Sequence, residues 1–151
     1  VGDEQGSYKE SDSFCSGDRV VLVNTPFGKV GLSICFDLRF PDLFRALREQ
    51  GAEIIMVPAA FTWKTGKAHW EILLRARAIE SQVYVVAANQ AGLHWNNRRT
   101  WGHSMIIDPW GEIKAVQAEA EGIIVSGVDH DYLKQVRLDI PLQEQAIYQG
   151  A

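Results

Sequence analysis

The stretch Gly31-Leu-Ser-Ile-Cys-Phe-Asp-Leu-Arg-Phe-Pro41 decides how the rest of the chain is interpreted. Its apolar residues predict a strand from Val30 to Cys35. A short polar and aromatic turn follows, and Pro41 is a residue type that opens helices. A cysteine between a strand and a helix lies at a helix N-terminus, where the helix dipole favours a thiolate. The pattern therefore predicts that Cys35 is a catalytic nucleophile, carried on an elbow like that of serine hydrolases.

Composition places limits on the class of protein. The chain has 151 residues, of which 46% are hydrophobic and 23% are charged, so we expect one globular domain with a real core. Its net charge of −4 argues against a nucleic-acid binder. Because no apolar run approaches a membrane span and the first residues are polar without a basic stretch, we expect neither a signal peptide nor membrane insertion. Cys15 and Cys35 are too few for a secreted disulfide scaffold, which predicts thiols in the cytoplasm.

Hydrophobic periodicity predicts strands that alternate with helices in the middle of the chain, and hence an α/β or α+β arrangement of layers. The predicted strands are Arg19–Asn24, Val30–Cys35, Ile54–Val57, Tyr84–Ala88, Ser104–Ile107, Ile113–Val116 and Gly122–Val128. The predicted helices are Pro41–Gln50, Ala68–Ser81 and a last one that Asp129 caps and that runs to Ile140. Loops are expected over 59–67 and 89–101, and the first two strands are expected to form a hairpin.

The surroundings of Cys35 allow more than one interpretation. A lone cysteine is often a buried structural residue, but Asp37 and Arg39 follow it closely, and a structural cysteine needs no charged neighbours. We interpret both charged residues mainly as supports of the turn. A thiol needs a base, and sequence alone does not select one. The candidates are His69, His94, His103, Glu10, Glu71 and Glu80, whereas His130 is expected to be a solvent-exposed residue.

Other kinds of site have weaker support. No cysteine or histidine pair has metal-ligand spacing, and no glycine-rich phosphate loop occurs, so we expect no metal. The segment 89–101 is rich in tryptophan and arginine, but the acidic balance favours a substrate-lining loop over nucleic-acid contact. Its Arg98 and Arg99 are candidates for receiving a substrate carboxylate. A solvated loop or a dimer contact is an equally acceptable interpretation of both.

The stretch around Cys35 resembles the nucleophile motif of the nitrilase, or carbon–nitrogen hydrolase, superfamily. The resemblance continues in order along the chain to residue 141. It includes Pro58-Ala-Ala-Phe61, Thr65-Gly-Lys-Ala-His-Trp-Glu71, Leu74-Arg-Ala-Arg-Ala-Ile-Glu80, Tyr84-Val-Val-Ala-Ala88, Trp101-Gly-His-Ser-Met105, Asp108-Pro-Trp-Gly111 and Arg137-Leu-Asp-Ile-Pro141.

The resemblance implies an α+β fold, the α-β-β-α sandwich of the nitrilase type, that pairs into a homodimer. It implies hydrolysis of a small linear amide through a thioester on Cys35, with no metal and no organic cofactor. The backbone N–H of Phe36 and a lysine would hold the oxyanion, and a glutamate would move the protons. Glu10 matches a second glutamate beside the site. The residues that bind substrate or support the site would be Asp37, Arg39, Phe61, Thr62, His69 and Glu71.

The family's general-base glutamate and its lysine have no matching residues in this sequence, which begins without a methionine. We therefore expect residues 1–151 to be the C-terminal portion of a single carbon–nitrogen hydrolase domain, with the sandwich incomplete at its N-terminus. Three hypotheses remain open at this point. The chain is part of an active amidase, or an inactive relative that persists as a folded or dimerising piece, or a hydrolase with a Cys–His dyad.

Overall fold

The computed structural model describes residues 15–95 and 97–143, together with the backbone of two short paired strands, β1 (Gly2–Asp3) and β2 (Gly6–Ser7). The other strands are β3 (Val21–Thr25), β4 (Gly28–Leu32), β5 (Ile54–Met56), β6 (Tyr84–Ala87), β7 (Ala91–Leu93), β8 (Arg99–Trp101), β9 (Ser104–Ile107) and β10 (Ile113–Gln117). The helices are α1 (Pro41–Glu49), α2 (Trp63–Ser81) and α3 (His130–Asp139), and a 3-10 helix spans Cys35–Arg39.

Six strands form the main sheet in the order β10-β9-β6-β5-β4-β3. The central strands β4, β5 and β6 are parallel, and β3, β9 and β10 add to them in antiparallel pairs. The predicted hairpin of the first two strands is confirmed as β3–β4. Because parallel strands end at one edge, the segments after β4, β5 and β6 converge there, and this edge is called the carboxyl edge below. The predicted α+β layering is confirmed.

One face of the sheet packs against α1 and α2. Ile55, Val85 and Ile107 lie on this face and are fully buried. They contact a cluster that contains Phe44 and Leu47 of α1 and Trp70, Leu74 and Ala78 of α2. The alternation along β5 and β6 places the next residues on the opposite face, as the two-residue period of a strand requires.

The opposite face packs against α3 through a smaller cluster of Ile54, Tyr84 and Leu133. The predicted cap is confirmed, because the Asp129 side chain accepts hydrogen bonds from the backbone N–H groups of the first turn of α3. His130, expected to be a solvent residue, keeps 38% of its side chain exposed but also makes a contact that the sequence did not predict. Its Nδ1 lies 3.2 Å from Glu53 Oε1, so the ring links α3 to the segment before β5.

Arginine and carboxylate groups complete this anchoring of α3. Arg137 donates from Nη2 to the carbonyls of Ala52 and Gln82, both at 2.9 Å. Burial, with a further contribution from Arg48, lowers the pKa of Arg137 to about 10, so the guanidinium stays charged at neutral pH. The hydrogen bond from the Lys29 N–H is the main cause that lowers the pKa of Glu53.

Several predicted boundaries are corrected. The strand predicted over Val30–Cys35 ends at Leu32, because the chain turns into the 3-10 helix. The helix predicted from Ala68 begins at Trp63, since its first turn is polar on the outside and packs through Gly66 against Trp101 rather than through an apolar stripe.

Two further segments differ from the prediction in kind. The expected loop over 89–101 contains the antiparallel pair β7–β8. The strand expected over Gly122–Val128 is absent. Its apolar and polar residues alternate as in a strand, but no described strand lies beside the segment to pair with it. Ile123 is 89% and Val125 is 83% exposed, so these side chains find no apolar neighbours to bury them. No helix in the described part of the chain has the length and apolar character needed to cross a membrane.

Candidate active site

Cys35 lies on a sharp turn at the carboxyl edge. After β4 ends, the Ser33 N–H donates to the Met56 carbonyl at 3.2 Å, and the Cys35 N–H donates to the Pro58 carbonyl at 2.8 Å. The chain therefore stays beside β5 until the cysteine itself. Cys35 has a φ of +46°, in the left-handed region that costs a non-glycine residue about 1–3 kcal/mol. A strained turn of this kind is also what carries the nucleophile in hydrolases with a nucleophile elbow, and the segment Ser33 to Phe40 is called the elbow below.

A helix does begin at the cysteine, but it is the 3-10 helix Cys35–Arg39 rather than the predicted helix at Pro41. Asp37 closes its first turn, because its Oδ2 accepts from the Ile34 N–H at 2.9 Å while its own N–H donates to the Ile34 carbonyl. The Phe36 N–H belongs to the same turn. No acceptor among the described residues forms a hydrogen bond with it, as is usual for first-turn donors.

Arg39 joins three of the predicted site residues. Its guanidinium carbon lies 5.6 Å from the centre of the Phe36 ring and 5.1 Å from that of Phe61. Its Nη1 lies 3.4 Å from His69 Nδ1. Arg39 contacts these groups rather than Asp37, so the two charged residues of the motif support different parts of the turn. Phe61 and His69 are thereby brought against the elbow.

Arg77 was not predicted as part of the site. It is only 5% exposed, and its Nε donates to the Leu38 carbonyl at 3.1 Å, within the 3-10 helix of the elbow. Its Nη1 lies 3.0 Å from Glu80 Oε2, and its guanidinium carbon lies 5.6 Å from the Phe44 ring centre. Arg77 thus ties the elbow to α2. The sequence signal that could have found it is the position of Arg77 on the face of α2 whose other residues are mostly apolar.

Asn89 was also missed, and it organises the loops around the carboxyl edge. Its Oδ1 accepts from the Phe61 N–H at 2.9 Å, and its Nδ2 donates to the Gly102 carbonyl at 2.6 Å. Its backbone N–H donates to Ser104 Oγ at 2.9 Å. Since Asn89 is only 7% exposed, these bonds are shielded from water. One side chain therefore joins the β5–α2 loop to the segment between β8 and β9.

The remaining predicted site residues lie just before α2, farther along it, or outside the described residues. Thr62 is 8% exposed and precedes α2, where its carbonyl accepts from the Gly66 N–H at 2.7 Å. Glu71 lies on the exposed side of α2, with Oε1 3.7 Å from Arg75 Nη1. Glu10 lies outside the described residues.

The histidines occupy different surroundings. His94 Nε2 lies 2.8 Å from Thr100 Oγ1 in the β7–β8 hairpin. His103 Nδ1 lies 2.9 Å from the Trp101 carbonyl, and the two rings stack with centres 4.1 Å apart. His69, through Arg39, is the one that packs against the elbow. In the described part of the chain, no group of three His, Cys, Asp or Glu side chains is placed to hold a metal ion.

Comparison with known proteins identifies the family to which this chain belongs. The family model described as carbon–nitrogen hydrolase matches residues 3–138. The chain belongs to the carbon–nitrogen hydrolase family. It is 50% identical over 142 residues to the deaminated glutathione amidase of Yersinia enterocolitica, across 94% of this chain and 50% of that protein. The chain thus spans about half the length of the curated relatives it matches.

Solved structures agree with this assignment. Nit3 of Saccharomyces cerevisiae, a member of branch 10 of the nitrilase superfamily, superposes with a TM-score of 0.86 at 35% identity, over 92% of this chain and 51% of that one. An amidase from Nesterenkonia sp. AN1, which carries the product of Michael addition of acrylamide at its active-site cysteine, gives a TM-score of 0.73 at 25% identity. That match covers 93% of this chain and 55% of the amidase.

Proposed function

We propose that Cys35 is the nucleophile of an amidase that hydrolyses a small linear amide related to deaminated glutathione. The observation that carries the proposal is the strained φ of +46° at Cys35, on an elbow at the carboxyl edge of the parallel strands. The similarity to proteins named deaminated glutathione amidase supports the choice of substrate class. The active-site cysteine of the related Nesterenkonia amidase supports the choice of nucleophile.

In the proposed reaction, the Cys35 sulfur attacks the amide carbonyl, and the carbonyl oxygen takes the negative charge of a tetrahedral intermediate. The Phe36 N–H donates to that oxygen, since its place in the first turn leaves it available. The carbon–nitrogen bond then breaks, an amine or ammonia leaves with one added proton, and a thioester remains. Attack by water on the thioester releases the acid and returns the thiol.

The protons need a base, and the oxyanion needs a second donor. We propose that a glutamate and a lysine from the part of the family domain that this chain does not span supply them, with Glu10 as a second glutamate beside the site. In this proposal residues 1–151 are the C-terminal portion of that domain. We further propose that the protein forms a homodimer and works in the cytoplasm. The absence of a disulfide between Cys15 and Cys35 supports the choice of compartment.

The test measures 2-oxoglutarate released from deaminated glutathione. The assay uses the chain itself and a polypeptide extended at its N-terminus to the length of the relatives. We expect turnover by the longer polypeptide and a loss of about 10³-fold or more in Cys35→Ala. Cys15→Ala is the matched control, because Cys15 is an exposed thiol, and its turnover should equal that of the unchanged protein. Equal rates for the unchanged protein and Cys35→Ala would disprove the nucleophile.

The same assay separates the alternatives. Turnover only by the longer polypeptide indicates that the chain alone is an inactive piece. In the glutamate mechanism we expect His69→Gln, which alters the contact with Arg39, to lose less than about tenfold. A loss as large as that of Cys35→Ala would indicate a Cys–His dyad. Faster turnover of 2-oxoglutaramate than of deaminated glutathione would indicate a substrate of the omega-amidase type.

A further inference from the structure

A group of basic side chains lies at the amino edge of the parallel strands, the edge opposite to the elbow. Lys29 lies at the start of β4, Arg48 in the last turn of α1 and Arg137 in the last turn of α3. The turn between α1 and β5 brings them together. Lys29 Nζ donates to the Gln50 carbonyl of this turn at 3.1 Å. From the other side, Arg137 Nη2 donates to the Ala52 carbonyl at 2.9 Å.

Arg48 is the member of this group whose charge the described part of the chain leaves unpaired. Its Nε is buried and has no hydrogen-bond partner there. Burial lowers the pKa of Arg48, and no described carboxylate acts on that pKa in the opposite direction. Because desolvation of a charge is costly, buried charges in proteins are normally paired. The Arg48 guanidinium therefore has a capacity for an anion that the described contacts do not use.

The charges of the group do not balance. Arg48 and Glu53 both lie near enough to act on the pKa of Arg137, which Arg48 lowers and Glu53 raises. Glu53 is already shared with other groups. Its Oε2 accepts from the Lys29 N–H at 2.9 Å, and its Oε1 lies 3.2 Å from His130 Nδ1. Three permanent cations thus face one carboxylate, which leaves an excess of positive charge even when the histidine ring is neutral.

Donor groups remain for a ligand. The hydrogen bonds of Arg137 to the carbonyls of Ala52 and Gln82 use its Nε and Nη2 and leave Nη1 out of them. The bond from Lys29 Nζ to the Gln50 carbonyl uses one of the three N–H groups of that ammonium. Guanidinium and ammonium groups both bind phosphate oxygens. A phosphoryl group carries a charge of about −1.5 to −2 at neutral pH, so it matches this excess better than a single carboxylate does.

We infer that Lys29, Arg48 and Arg137 form a binding site for a phosphoryl group at the amino edge of the sheet. The ligand is inorganic phosphate or a phosphate monoester of a small molecule, since both present the same group to the site. The site lies at the end of β4 away from Cys35, so it is separate from the proposed active site and does not rest on the proposed function. A bound phosphoryl group connects β4 with the ends of α1 and α3, and its binding stabilises the folded chain.

The test is a titration of the chain with inorganic phosphate, followed by NMR at the amides of Gly51, Ala52 and Glu53. Sodium chloride at the same ionic strength measures the general screening of charge. We expect saturable shifts and a higher melting temperature with phosphate, and neither with chloride. Methyl phosphate distinguishes the two sources of the ligand. Binding at least as tight as that of inorganic phosphate indicates a monoester, and weaker binding indicates the free ion.

Arg48→Met separates a binding role from a structural one. It should raise the Kd for phosphate at least about tenfold, because it removes a charge-assisted contact. In phosphate-free buffer its melting temperature should equal or exceed that of the unchanged chain, because the substitution removes a partly buried charge that lacks a partner. Arg45→Met is the matched control on the same helix. Arg45 is exposed and lies 3.8 Å from Glu49, so its loss should change the Kd by less than about threefold.

Phosphate binding that survives unchanged in Arg48→Met, or that Arg45→Met weakens equally, would overturn the inference, as would equal shifts with sodium chloride. Absence of saturable shifts in the unchanged chain would overturn it as well. A lower melting temperature of Arg48→Met in phosphate-free buffer would assign the guanidinium a structural role and count against the site. None of these measurements requires turnover, so the site stands or falls independently of the proposed amidase activity.

Discussion

The elbow (Ser33–Phe40) and the β7–β8 hairpin (Ala91–Trp101) lie at the same edge of the sheet, but they are held there differently. The elbow continues a central strand. Its Cys35 N–H donates to the Pro58 carbonyl, and its Leu38 carbonyl accepts from Arg77. The hairpin lies outside the six-stranded sheet. The segments that lead into β7 and out of β8 are held by the side chain of Asn89 and by main-chain hydrogen bonds to the β5–α2 loop.

Under the proposed function, this difference separates the place of the chemistry from a surface that is free to serve recognition. A nucleophile must be placed within a fraction of an ångström, and a central parallel strand with a buried arginine behind it supplies that rigidity. A recognition surface needs side chains that can change without moving the nucleophile. A hairpin attached at its base, with Trp95 exposed at its tip, meets that need.

The largest effect should come from breaking the base of the hairpin with Asn89→Ala. The change leaves the Phe61 N–H and the Gly102 carbonyl without partners in a buried place, at a cost of about 1–3 kcal/mol for each group. Urea unfolding measures the loss. Gln90→Ala is the neighbouring control, since its side chain is exposed, and we expect a change within about 0.5 kcal/mol. Equal losses in both variants would show that the Asn89 side chain does not carry the attachment.

An intermediate effect should come from loosening the elbow with Arg77→Met. This substitution fills similar space but removes the donor to the Leu38 carbonyl, so we expect a loss of about 2 kcal/mol in the free energy of unfolding. Lys67→Met removes an exposed charge from the same helix and should be nearly neutral.

Arg77→Lys sharpens this experiment. Lysine keeps the positive charge but lacks the planar fork that reaches both Leu38 and Glu80, so it should restore only part of the loss. Full recovery of stability by lysine would mean that charge, and not the geometry of the guanidinium, holds the elbow.

The smallest effect should come from Asp37→Ala. The carboxylate closes the first turn of the elbow by accepting from the Ile34 N–H, as a helix-capping residue does, and such caps contribute about 1 kcal/mol. Amide hydrogen exchange at Ile34 should become faster in the variant. Asp37→Asn keeps an accepting oxygen and should retain most of the protection. Unchanged exchange in Asp37→Ala would remove Asp37 from the support of the elbow.

Sequence patterns predicted the elements whose signals are local. The apolar runs of β5 and β6 and the capping aspartate of α3 are each contained within a few residues, so their types are confirmed by the structure. Patterns that depend on distant partners misled the prediction. The alternation at 122–128 is that of a strand, but a strand exists only where another pairs with it, and no described neighbour does.

The same distinction applies to the site. Arg77 lies 39 residues from Leu38 and Asn89 lies 28 residues from Phe61, so no local pattern marks either side chain as a support of the carboxyl edge. The hairpin was missed for a related reason. Its strands are only three residues long, and bonds to the β5–α2 loop hold its base in place.

The sequence by itself determined that Cys35 follows an apolar strand in an ordered series of family motifs, because those signals need only neighbouring residues and their order. It left Arg98 and Arg99 indistinguishable, as adjacent members of a polar segment. Tertiary structure gave Arg99 a defined role, since it stacks on Trp63 and lies beside Glu119, both from elsewhere in the chain. The physical reason is that a side chain's role depends on what the fold brings beside it, and sequence distance does not encode that.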